Sequence, residues 1–162
     1  MIVEGKEGLQ KKDKNLFKTV QQLDINLNRA FHYCYRYSRK NNLPVQEEVL
    51  LQLVTYSLEK CGDIYKELIH VSIEEKDKII NQIHELIEKL FEAICSFTLK
   101  RTAKHALECA DAYDNIKKEL STIPPTRTTT LTSQLASTLI DIQSQQIGLI
   151  EEVKKMIFFE NK

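Results

Sequence analysis

Between Pro44 and Pro124 the chain offers one helix breaker, Gly62. A run that long, with no other Gly or Pro, leaves little room for the turns that a sheet of short strands requires. Apolar residues recur along it at three- and four-residue steps, and no sustained alternation appears, so the periodicity is helical. The expected fold is all-α: an antiparallel bundle of about five helices joined by short loops.

The first helix is expected from about Asp13 to Lys40, with the stripe Leu16, Val20, Leu23, Leu27, Phe31, Cys34 and Tyr37, and "RKNNLP" ends it. The second is expected from about Gln46 to His70, followed by a capping box in which Ser72 caps and Glu75 reaches back. The third carries Ile80, Ile83, Ile87, Leu90, Ile94 and Phe97, and it breaks near Arg101, where the stripe loses phase. A fourth follows through Tyr113, Ile116 and Leu120; "STIPPTRTTT" reads as a linker, and a last helix covers about Leu131 to Phe158. In domain terms, residues 1–12 form a flexible N-terminus, 13–71 a helical hairpin, and 72–160 a three-helix unit.

Charge excludes some partners. The formal net charge is zero, so nothing global calls for nucleic acid or an anionic membrane. The balance is uneven: residues 46–120 hold ten Lys/Arg against fifteen Asp/Glu. No segment approaches the ~20 apolar residues of a membrane span, and the opening "MIVEGKEGLQKKDK" has no apolar core of a signal peptide. Cys34, Cys61, Cys95 and Cys109 show no CxxC spacing and lie on or beside apolar stripes, as small hydrophobes do. These features together fit a reducing cytoplasm, with no membrane insertion.

The acidic region contains "LEKCGDIYKEL". Residues advance ~100° each around a helix, which puts Glu59, Asp63 and Glu67 on one ridge turned away from Val54, Leu58, Cys61, Tyr65 and Leu68. Like charges four apart repel by a few tenths of a kcal/mol, and glycine in a helix costs roughly 0.5–1 kcal/mol. A solvated acidic face, offset by Lys60 and Lys66, is one reading. A carboxylate platform for a hard or borderline cation is the other. A second helix would have to complete such a site, and "ECADAYD" offers Glu108, Asp111 and Asp114 beside its apolar face.

"LVTYSLEKCGDIYKELI" resembles the signature of PhoU proteins, cytoplasmic regulators of phosphate uptake. Leu58, Glu59, Gly62 and Asp63 match the signature; Lys60 replaces its arginine and Cys61 its aliphatic residue. "FTLKRTAKHALECADAYDNIKKEL" is similar to the family's other helical segment, with Thr102 in place of an aspartate and Ala110 in place of an acid. In the last helix, Asp141 and Gln145 stand nearest to a second, degenerate copy of the signature. The resemblance implies metal ligation by Glu59 and Asp63, with Glu67, Glu108, Asp111 and Asp114 as further candidates. The metal would be iron, manganese, zinc or magnesium. It also implies contact with a phosphate transporter's ATPase and its sensor kinase, and no catalysis. A family member has two three-helix units. Here the first unit lacks its opening helix, which would leave an apolar groove exposed and favour a homodimer. The alternative is a metal-free helical adaptor that kept the bundle alone.

Two further motifs have the form of known sites. Glu67 to His70 has the ExxH form of a carboxylate-bridged di-metal oxidase, but such sites need a second ExxH, and none occurs. "FHYCYRYSRK" mixes aromatics with bases as nucleic-acid sites do; with Phe31, Cys34 and Tyr37 assigned to the packing stripe, a helix end with dipole-matched cations is the simpler reading.

Overall fold

The computed structural model describes the backbone of residues 14–75 and 80–160; the expectation for residues 1–12 lies outside it. Every element among the described residues is a helix: α1 Lys14–Lys40, α2 Val45–Glu75, α3 Ile80–Lys100, α4 Ala103–Ser121 and α5 Arg127–Glu160.

The sequence stops α1 where Asn41 donates back to the Tyr37 carbonyl and Asn42 turns left-handed, at φ 47°. Asn tolerates that region better than most residues because its short amide bonds locally. Pro44 then opens α2, and the Glu48 amide donates to its carbonyl. Glu47 and Glu48 suit the positive end of the helix dipole. The break between α3 and α4 falls at Arg101, whose φ is 51°, and Thr102 caps α4 by accepting from the His105 amide.

Two boundaries differ from expectation. Ser72 does not cap a new helix: α2 runs through it to Glu75, and Ser72 is buried inside the helix. Val71 and Ile69 are buried beside it, so the packed face continues past His70 and carries the helix with it. The threonine run of the expected linker also belongs to a helix. Thr126 and Thr129 cap each other reciprocally, each hydroxyl accepting from the other's amide at 3.2 and 2.8 Å. Thr128 and Thr132 lie buried in the first turns of α5, and the Thr132 hydroxyl donates to the Thr128 carbonyl at 2.8 Å. That local bond satisfies the hydroxyl, so a threonine can enter the core without an orphaned polar group.

The packing has a clear centre. α5 lies against α2, α3 and α4, while α1 packs on α2 and α3 packs on α4. The core gathers Leu68, Ile69, Ile87, Leu90, Ile116, Leu135, Leu139 and Ile142. Two glutamines set the register of α5: Gln143 donates to the Ala106 carbonyl and Gln146 to the Thr98 hydroxyl, each at 2.9 Å. α1 is held from one side only, by its antiparallel partner α2.

Candidate functional site

The site is built around Gly62. A β-carbon placed there would come within 2.5 Å of Leu27 Cδ2 and 3.5 Å of Asp24 Oδ1. The glycine therefore lets α1 approach α2 closely. This close approach brings Asp24 beside the acidic ridge of α2.

Lys66 sits between the two helices. Its ammonium donates to Asp24 Oδ2 at 2.7 Å and to Asp63 Oδ1 at 2.8 Å. Partial burial works against the charge, but the two carboxylates more than offset it and hold the Lys66 pKa above its ordinary value. Asp24 is buried, and the lysine neutralises it there. Reading the sequence for acid ridges missed Asp24. The available signal was a lone carboxylate among Val20, Leu27 and Phe31 on an apolar stripe, where charge is rarely left unpaired.

The remaining candidate ligands are spread out. Glu59 is half-buried on α2, and Asp63 is exposed one turn on. Glu67 pairs with Arg127 at the start of α5, 2.6 Å away. Glu108, Asp111 and Asp114 are exposed on α4, where Glu108 faces Lys104 at 3.9 Å. Since α4 packs on α3 and α5, its acids are not carried to the α2 ridge. Among the described residues, no group of three or more His, Cys, Asp and Glu side chains is placed to hold a metal ion. In α5, Asp141 is exposed and Gln145 half-buried.

Next to this seam lies a cavity of about 520 Å³. Leu23 and Leu27 of α1 form one wall, and Phe91, Glu88 and Glu92 of α3 form the other. Its floor is Leu58, Cys61, Gly62 and Tyr65 of α2 with Leu135 and Leu139 of α5. The volume falls in the range of ligand pockets, ~300–1,000 Å³. At one end, Tyr65 Oη lies 3.2 Å from His84 Nδ1, with the two rings edge to face. Burial pushes the Cys61 thiol up to about 12, so it stays a neutral part of an apolar floor rather than a nucleophile.

Comparison with family models, curated proteins and solved structures finds no match for this chain. Among the described residues, no helix is long and apolar enough to cross a membrane.

Proposed function

We propose that the chain is a helical regulator that acts by protein–protein contact rather than by catalysis. The apolar groove between α1 and α3 is the observation that carries this reading. Its lining is five leucines, two aromatic rings, Cys61 and Gly62, with two carboxylates, Glu88 and Glu92, one turn apart on α3. That combination suits one class of occupant: an amphipathic helix that inserts leucine-type side chains and lays lysines or arginines along the α3 rim.

The chain contains no tryptophan, so a tryptophan-labelled peptide reports binding without background. A leucine-rich helical peptide flanked by lysines is expected to bind at least ~10-fold more tightly than the same peptide flanked by glutamates, a difference of about 1.4 kcal/mol. Glu92→Lys is expected to abolish that preference. Equal affinity for both peptides, or an unchanged preference in Glu92→Lys, would rule out the groove as the docking site. A dimer that forms as the peptide is displaced would instead identify the occupant as a second copy of the chain.

A second reading makes the regulator PhoU-like. It would be cytoplasmic and would restrain phosphate uptake by contacting a transporter ATPase and a sensor kinase. It would bind iron, manganese, zinc or magnesium through Glu59 and Asp63. The observation favouring it is that Gly62, between those acids, is used for close helix approach. On this reading Lys66 competes with the metal for Asp63. Lys66→Met should then raise manganese affinity in calorimetric titration, and Glu59→Ala with Asp63→Ala should eliminate it. Equal metal uptake by wild type and the double alanine variant would reject the metal platform.

A further inference from the structure

The outer face of α1 gathers exposed tyrosines and cations. The helix turns Val20, Asp24 and Ser38 inward. Arg29, Tyr33, Arg36, Tyr37 and Lys40 are all exposed, and their spacing places them within an arc of about 100° on the opposite side. Tyr37 was expected in the packing stripe. Instead the stripe passes from Cys34 to Ser38, which is fully buried, and Tyr37 remains 46% exposed. Tyr33 is 64% exposed, and the two rings lie stacked, their centroids 6.2 Å apart and their planes 28° apart.

The cations of this face have little to neutralise them. No acid occurs in the sequence between Asp24 and Glu47, and Asp24 is tied to Lys66 on the inner side. Among the described residues, none of Arg29, Arg36 and Lys40 makes an ion pair. Arg36 donates from Nε only to the His32 carbonyl of its own helix, at 3.2 Å. The packing of α1 on α2 does not require aromatic rings on this side, since its buried face points the other way.

We propose that the outer face of α1 binds single-stranded nucleic acid, with bases stacking on Tyr33 and Tyr37 and phosphates meeting Arg29, Arg36 and Lys40. Exposed rings interleaved with cations form the usual sequence-tolerant platform for a single strand, because every base has a π-face and every link a charge. An apolar protein partner would need aliphatic residues in the stripe. An acidic peptide would use the cations and leave the rings idle. The zero net charge of the whole chain is no obstacle, because the positive charge is concentrated where the rings are.

The test is fluorescence anisotropy with labelled 15-nucleotide dT and rU strands and a duplex control, at about 50 and 200 mM salt. Wild type is expected to bind both single strands more tightly than the duplex. Tyr33→Ala with Tyr37→Ala should weaken single-strand binding at least ~10-fold and leave the salt dependence unchanged. Arg29→Gln with Arg36→Gln and Lys40→Gln should flatten the slope of log K against log salt by about 2, from ~0.7 per phosphate contact. All five positions are exposed, and circular dichroism checks that each variant keeps its helices. No binding at the lower salt would overturn the proposal. So would wild-type affinity in the tyrosine variant. Polyglutamate or phosphatidylserine vesicles that displace the strand at equal charge concentration would assign the face to generic anion docking instead. A preference between dT and rU identifies which nucleic acid is the better source of the strand.

Discussion

Cys61 shows what a single buried thiol does to the pH response of this fold. Burial raises it from 9.0 to about 12, and Asp141 adds to the rise while Lys60 opposes it. Burial also raises Cys109, to about 11. A folded-state pKa above the unfolded value means a contribution fully present below pH 9 and lost as pH climbs toward 12. Lys66 is raised too, but from 10.5, so its contribution fades only above that value. Of these three groups, only the two thiols act between about 9 and 10.5. Thermal unfolding should show the midpoint falling between about pH 8.5 and 10.3 in wild type, and falling less in Cys61→Ala with Cys109→Ala. Parallel pH profiles would mean that the thiols do not govern alkaline stability. At this scale the sequence was readable where a residue broke a local rule. Gly62 and the acids flanking it stood out as a cost. Asp24 broke a rule as well, a charge in an apolar stripe, yet its meaning depended on Lys66, 42 positions away. No local pattern encodes that distance.

Gly62 decides how α1 and α2 meet. The atom that an added β-carbon would strike is the tip of Leu27, a flexible side chain bordering the open groove. In Gly62→Ala the leucine is expected to rotate aside, and the gain in helix propensity, roughly 0.5–1 kcal/mol, offsets the shift. Stability in urea should stay within about 1 kcal/mol of wild type. Gly62→Leu has no such escape: it would push α1 outward, stretch the Lys66–Asp24 pair and cost about 1–3 kcal/mol. A Gly62→Leu protein as stable as wild type would show that the seam does not depend on the glycine. Helix existence and order followed from periodicity, and so did the break at Arg101. Helix ends followed less well. Threonines look like linker until their hydroxyls are given the preceding carbonyls as partners. Ser72 looks like a cap until the packed face is seen to continue past it. Both errors come from treating polar side chains as surface: a backbone bond hides the Thr132 hydroxyl, and Ser72 is buried because the packed face around it continues.

At the scale of the molecule, α5 is the helix that meets three others, and α1 meets one. The bundle class was legible from the sequence, but the groove was a matter of arrangement: Leu23 and Leu27, which line it, lie far from Phe91 in the chain. Its walls are α1 and α3, which periodicity treats alike and which only the three-dimensional arrangement sets apart. The pairing of α2 with α5 also has a kinetic meaning. Arg127 closes on Glu67 across 60 positions, so the central contacts enclose long loops, and closing them costs entropy before any burial repays it. Synthesis runs from α1 toward α5, so the hairpin of α1 and α2 emerges before the α5 face that it packs against. On the ribosome such a chain is expected to fold late. Its early helices wait, and are open to chaperones and to premature association, until α5 has been made.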